Sequence, residues 1–583
     1  MSLRTCRETK DPINLDIKEL GCFFVEVYIK TTKRRNKDGS IVEYYHLAHN
    51  ERDPETKAPI PHIIHNFGRA DRLDRDELVR LCRSIARVCG LEVNDPLEEG
   101  RESRQEEKGL PEGLALIGTV ELGTPFLVES LWERLGIGPA LRAAGEADGC
   151  RVPYERALLA MTANRLCEPQ SKLGVWDRWL SKVFLPTCEG LELPQMYEAM
   201  DLLYRHAEEV EKSVFHKVAD LFSLEVDIVF YDTTTASFSI DDADEDGEGV
   251  RQLGHSKEGT WTAQVVVALA VTREGLPVRS WVFPGNTSDV TTIEKIKKDL
   301  RGWKLGRALF VADAGMNSED TRKELTKACG KYLMAARMGS VKEIKEEVLS
   351  KRGRYKTISD NLHAKEVVVG DGVRGRRYIL CYNPRQAERE RPHREQVLTE
   401  LKEKLAEHPD KRATAQWAIE LKASGRYGRY LTITKGGKLR MNSTAVKEAE
   451  RRDGKWVIQT NDDTITVEDA AEGYKALLII ERCFRSLKRT QIKMMPMYHW
   501  LPRRIETHVK ICVLALLIER VAERACQKSW ARIRDDLVTL QATKFSNKNF
   551  VFFERNQPSK EAVKVLQSLD IPMPKRVLAI APQ

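Results

Sequence analysis

No apolar run in these 583 residues reaches the ~20 that a bilayer-spanning helix needs; the longest candidate, Ile511–Ile518, is far too short. The opening MSLRTCRETKDP has no apolar stretch of the kind that begins a secretory signal, so a cytoplasmic location is expected. The twelve cysteines include no Cys-x-x-Cys pair. They read as reduced, buried thiols, which speaks against a disulfide framework and against a structural zinc site. No Gly-x4-Gly-Lys occurs, since Gly436-Gly437-Lys438 lacks the earlier glycine, and ATP use is not implied. Asp242, Asp244, Asp246 and Gly247 imitate the opening of a calcium loop, but the position where such a loop needs a bidentate Glu is Leu253.

What remains is a charged, moderately basic chain, 31% Asp, Glu, Lys and Arg with a net charge of +8. Its length suits about three to five domains. The positive excess is unevenly placed. Between Tyr474 and Lys510 nine Lys and Arg stand against two acids, a local +7 that is nearly the whole surplus. Arg482, Arg485, Lys488 and Lys493 belong to this group. Clustering of one sign is the electrostatic footprint of a polyanion partner, whereas an ordinary solvated face mixes signs.

Along the chain, residues 1–92 read as a small β-rich domain. Phe23–Lys30 and Ile41–Ala48 alternate around Asn36-Lys37-Asp38-Gly39, a hairpin signal, Ile60–Asn66 adds a strand, and Asp74–Val88 looks helical. The hairpin tip carries Lys30, Lys33, Arg34, Arg35 and Lys37; a solvated loop and a phosphate contact are both open. Residues 93–113 form a charged linker with few apolar residues. Residues 114–223 read as helical, either a packing domain or a DNA-reading one, with Trp176 and Trp179 as core candidates. From 224 to 338 the texture changes to strands Val226–Tyr231, Thr262–Val271 and Leu276–Phe283, then alternating helix and strand, which describes a mixed sheet covered by helices. Residues 339–454 interrupt it with short strands and a charged helix, Glu388–Ala406. The scheme resumes over 455–525, and 526–583 read as a tail.

Asp232 and Asp313 both fall where an apolar strand runs out, a place favoured by ligands and catalytic groups in open α/β sheets. A third acid, Glu481, lies in EGYKALLIIERCFRSLK, Glu472–Lys488, which is expected to form one helix. Tyr474, Glu481 and Lys488 are seven apart, so in an unbroken helix they make one stripe about 21 Å long. Three gathered carboxylates repel unless a cation neutralises them, and hard oxygen ligands select Mg²⁺ or Mn²⁺. Two such ions can activate a nucleophile and stabilise the leaving oxygen of a phosphodiester. His255, in GHSKEG, is open to either a loop role or a catalytic one.

The runs YDTTTASF around Asp232, LFVADAGM around Asp313, and Tyr474-(6)-Glu481-(6)-Lys488 resemble the Asp-Asp-Glu transposases of bacterial insertion sequences. The class in question carries a Tyr-Arg-Glu-Lys motif. The resemblance implies an α+β chain built on a ribonuclease-H-like sheet with a β-rich insertion before the glutamate. It also implies a triad of Asp232, Asp313 and Glu481 holding two Mg²⁺ ions, with Mn²⁺ as substitute. Tyr474 and Lys488 would touch the backbone of the transposon end, and Trp456 is the candidate to stack on a flipped base, with a core position as its alternative. The partners implied are inverted-repeat and target DNA and a second copy of the chain, a homodimer on paired ends. One position departs: the motif Arg should follow Tyr474 by three residues, where Leu477 stands. Arg485, eleven residues past Tyr474, is the proposed substitute. A nuclease of the same fold without end specificity, and a DNA-binding descendant without catalysis, are the alternatives.

Overall fold

The computed structural model describes residues 27–35, 41–52, 59–70, 73, 81–82, 84–85, 114–150, 152, 154–239, 242–244, 249–372, 375–408, 412–547 and 549–582. The chain divides into two compact units, Met1–Pro111 and Glu112–Gln583. The expected hairpin tip, most of the Asp74–Val88 helix, the linker and Asp246–Gly247 lie outside the described residues.

In the first unit, β1 (Val27–Arg35), β2 (Ile41–Arg52) and β3 (Pro59–Arg69) form an antiparallel sheet in that order, with Val27 opposite His49 and Arg35 opposite Ile41. In the second unit, β4 (Ala115–Glu121) precedes the longer helices α1 (Gly123–Arg134), α2 (Ile137–Ala147), α3 (Tyr154–Cys167), α4 (Leu193–Arg205) and α5 (Ala207–Leu221). Trp179 is buried among them, as its spacing suggests; Trp176 is not, and 40% of it faces solvent.

The central sheet begins with β5 (Ile228–Ser237), β6 (Gln252–His255), β7 (Trp261–Thr272) and β8 (Pro277–Pro284). Helix α6 (Asp289–Gly302), β9 (Leu309–Ala312), α7 (Glu319–Thr326) and β10 (Tyr332–Ala336) follow. β5 pairs antiparallel with β7, and β7 with β8, while β5–β9 and β9–β10 are parallel. The antiparallel β5, β7 and β8 followed by helix–strand alternation match the order that the resemblance implies, and the short β6, antiparallel to β7, is an addition to it. Strand alternation turns Ile228 and Phe230 to one core and Val229 and Tyr231 to the other, where α6 packs.

The inserted segment does not form a separate β module. Its strands β11 (Lys356–Ser359), β12 (Leu362–Val369) and β13 (Arg376–Tyr382) prolong the central sheet. Its remainder is mostly helical: α8 (Pro384–Glu407), α9 (Gln416–Ala423) and α10 (Ser443–Arg452) surround a small hairpin, β14 (Leu431–Ile433) and β15 (Leu439–Met441). β16 (Lys455–Thr460) closes the join, pairing with β13 on one side and β10 on the other.

The stretch expected as one helix is two. Helix α11 (Val467–Lys475) starts on the Thr466 side chain, which accepts from the Asp469 amide, and ends before α12 (Leu478–Arg485). Between them the hydrogen bonds tighten to three-residue spacing, from Leu477 to Tyr474, Ile479 to Ala476 and Ile480 to Leu477. The tight turn buries both Leu477 and Ile480 while Leu478 faces solvent. A wide turn over Ser486–Thr490 follows. Helix α13 (Pro502–Cys526) then runs through the middle of the unit, buried on every side along most of its length. The residues read as a tail fold back: α14 (Trp530–Leu537), β17 (Gln541–Ser546), β18 (Phe550–Arg555), α15 (Lys560–Ser568) and β19 (Val577–Pro582). β17 to β19 make a four-stranded sheet with β4, over 400 residues earlier in the chain. Polar strands such as QATKFS carry too little apolar signal to announce a sheet.

Candidate active site

Neighbouring strands lead to the two aspartates. β5 and β9 pair as Ile228–Leu309, Val229–Phe310 and Phe230–Val311, a register that ends two residues short of Asp232 and Asp313, whose charges are close enough to interact. β9 ends at Ala312, and Asp313 opens a short helical turn, Ala314–Met316. Asp232, by contrast, is not at a strand end. β5 runs on through Thr233–Ser237, because this β-branched stretch keeps pairing with Gln264–Ala268 of β7. The apolar run ends where expected, but the strand does not.

Asp232 is largely enclosed, with 22% of its side chain exposed. Burial pushes its carboxyl up to about 6, and the nearby charges of Asp289 and Asp313 add to the rise; Lys257 and the Thr233 amide act the other way. Asp313 accepts a 3.0 Å hydrogen bond from the Tyr474 hydroxyl. Burial, then the charge of Asp313 and this bond, raise the Tyr474 phenol well above its ordinary range, and the charges of Glu481 and Asp232 add to the effect. Tyr474 therefore sits in the combined field of all three acids. Glu481 itself, in the first turn of α12, is exposed.

Two further charged residues reach this place, and sequence reasoning misses both. Lys257, at the tip of the β6–β7 hairpin, holds its ammonium 3.5 Å from Asp232 and 3.5 Å from Asp289. Asp289, in the first turn of α6, also accepts a hydrogen bond from the Thr233 hydroxyl. The next residue at the hairpin tip, Glu258, pairs with Lys488 at 3.2 Å and Arg489 at 2.7 Å. The tip is the GHSKEG run, singled out for its histidine. His255 instead sets its ring edge-on to Trp261, centroids 5.8 Å apart. For Asp289 the available signal is an acid opening a helix behind Ser288, which also reads as simple dipole complementarity.

The basic residues divide into groups. Arg482, Arg485 and Lys493 are exposed, whereas Lys488 is nearly covered under Glu258, with 9% of its side chain accessible. Leu477, at the motif Arg position, is 7% exposed and belongs to the main core. The break at 476–477 also removes the reason for placing Arg485 on the face of Tyr474, since that reason assumes an unbroken helix. Trp456 stands inside β16, paired with Cys381 and half-buried against the main core.

The model of the transposase DDE domain matches residues 228–518, and the model of the IS1634-family transposase N-terminal domain matches residues 29–96; together they cover more than half of the chain. The chain belongs to the DDE transposases of insertion sequences. No curated protein matches it. Among solved structures, a piggyBac transposase synaptic complex with hairpin DNA is 10% identical, with a TM-score of 0.33, over 71% of this chain and 79% of that one. That likeness is too distant to carry an argument.

DDE transposases cut DNA and transfer strands, and they use divalent metal ions. The donors of this transposase suit such an ion: the acids around Tyr474 offer only oxygen, and the raised Asp232 carboxyl marks a place where added positive charge is favourable. The acids are not drawn into one shell, however. Among the described residues no three His, Cys, Asp or Glu side chains converge closely enough to hold one ion. Nor, among the described residues, is any helix long and apolar enough to cross a membrane.

Proposed function

We propose that this transposase binds the inverted-repeat ends of its own element, cuts there, and joins the freed 3′ ends to target DNA. Asp232, Asp313 and Glu481 are its metal-binding triad and Mg²⁺ its ion, with Mn²⁺ as substitute. The observation that supports the assignment is the meeting of the three acids' charges at Tyr474, whose hydroxyl bonds Asp313. Bound there, two ions would activate the attacking water or 3′-hydroxyl and stabilise the leaving oxygen. The residues of the chain supply the rest. Asp232 is held by the sheet, being inside β5, while Asp313 stands just past the end of β9, where the Tyr474 hydroxyl orients it. Glu481 rides on α12 behind a tight turn, so its approach to the aspartates is set by a short helix rather than by the sheet.

Exposed Arg482, Arg485 and Lys493 would lie along phosphates, with Lys488 and Arg489 joining them once Glu258 is displaced. Tyr474 contributes through Asp313 rather than as a free phosphate ligand. A homodimer on two paired ends and a cytoplasmic location complete the reading. The test uses purified protein and DNA from the flanks of the coding region, where imperfect inverted repeats are expected. Cleavage at the repeat boundary in Mg²⁺ or Mn²⁺, and none in Ca²⁺ or EDTA, is expected. Robust cutting in EDTA overturns the metal account. Cutting without preference for the repeats favours the nuclease alternative.

A further inference from the structure

We propose that Asp289 is a fourth carboxylate of the metal centre, sharing with Asp232 the cation place that the Lys257 ammonium occupies in this structure. The inference rests on the triad reading above and extends it. Lys257 Nζ is 3.5 Å from Asp232 Oδ1 and 3.5 Å from Asp289 Oδ2, so one positive charge already serves both acids. The two oxygens can be no further apart than twice that distance. A lysine ammonium is a compact point charge on a flexible stem, and such a group can leave when a divalent ion competes for the same oxygens.

The position of Asp289 is independent of this contact. Its Oδ1 accepts from the hydroxyl of Thr233, the neighbour of Asp232 on β5. Its Oδ2 lies near Gly315, where an added methyl group would come within 3.9 Å of it. Gly315 is two residues past Asp313. The carboxylate thus bonds the neighbour of one aspartate and lies near the chain just past the other. A purely structural role needs less than this. An acid in the first turn of a helix complements the helix dipole from any orientation, and one oxygen is enough for the Thr233 bond. The second oxygen, turned to Lys257, has no part in either.

The test is Mn²⁺ binding to the metal-free full-length protein, read by electron paramagnetic resonance of the unbound ion. The variants are Asp232→Asn, Asp289→Asn, Asp289→Glu, Thr233→Val and Lys257→Met, each checked for folding by circular dichroism. Asp232→Asn and Asp289→Asn should each weaken Mn²⁺ binding at least about tenfold, with Asp289→Glu retaining more of it. Thr233→Val, which removes only the hydrogen bond, should stay within about threefold of the parent. Lys257→Met removes the competing ammonium and should tighten binding. If Asp289→Asn binds Mn²⁺ like the parent while Asp232→Asn has lost it, this inference fails and the triad stands. If both variants bind like the parent, the triad reading itself fails. Should Asp289→Asn not fold, Lys257→Met decides: unchanged or weaker Mn²⁺ binding overturns the shared place.

Discussion

If Lys488 and Arg489 bind DNA phosphates as proposed, Glu258 competes with DNA for them, and removing its charge should tighten DNA binding. It pairs with Lys488 and Arg489 in the absence of DNA, so DNA must break two ion pairs before it can use those cations. The two pairs are not equal. Arg489 is 66% exposed and its pair is screened, worth about 0–1 kcal/mol. Lys488 is nearly covered, so its pair sits at or slightly above the top of that range. Releasing both gives about 1–2 kcal/mol, hence about 5- to 30-fold tighter binding of an end duplex by Glu258→Gln. Fold stability should fall by no more than the same ~1–2 kcal/mol, because the two pairs are made in the folded, DNA-free protein. Fluorescence anisotropy in EDTA, from low to physiological salt, measures the effect. The log–log salt slope should also steepen, by up to about one unit for each additional phosphate neutralised. A folded Glu258→Gln that binds end DNA no better than the parent, with the same slope, refutes the reasoning.

Other expectations follow from the same geometry. Leu477→Arg, the change that restores the motif, puts a charge at a core position and should destabilise the protein by about 3–5 kcal/mol without rescuing Arg485→Ala; chemical denaturation and end binding measure both. The Asp232 carboxyl, raised to about 6 by burial and neighbouring acids, disfavours the folded state as pH climbs from the unfolded value of 3.8 through 6, by at most about 3 kcal/mol above that. Metal-free Asp232→Asn should therefore be more stable than the parent above pH 6 and indistinguishable from it below pH 4; equal stability of the two in EDTA at pH 7.5 contradicts the perturbation. Trp456→Leu should lower stability and leave end binding unchanged, since the ring packs against the core.

The catalytic sheet is legible in the sequence because its strands announce themselves twice, by apolar content and by the acids that interrupt it. Tyr332–Ala336 and Lys455–Thr460 form strands with the bounds that their patterns suggest. Sequence reasoning fails where a local pattern has two outcomes. Threonines after Asp232 signal strand and loop alike, and only pairing with β7 shows that the strand continues. Periodicity alone cannot reveal that Glu472–Lys488 breaks at Leu477, because the residues on either side of a tight turn are as apolar as those of a helix. Asp289 and Lys257 are hidden for another reason. They lie 57 and 25 residues beyond Asp232 in the sequence, and nothing in their own neighbourhoods names their partner. Long-range pairing is also why Gln541–Pro582 looks like a tail, its sheet being completed by Ala115–Glu121.

The triad is tested most directly by one comparison: cleavage and binding of the same labelled end duplex by Asp232→Ala, Asp313→Ala, Glu481→Gln and the parent, in Mg²⁺. Each variant should bind the duplex about as well as the parent, because the basic surface is intact. Each should cut it at less than about a hundredth of the parent rate, because a ligand of the reacting ions is gone. A folded variant that binds and still cuts near the parent rate would remove that residue from the site, and if all three did so the active site would lie elsewhere in the chain.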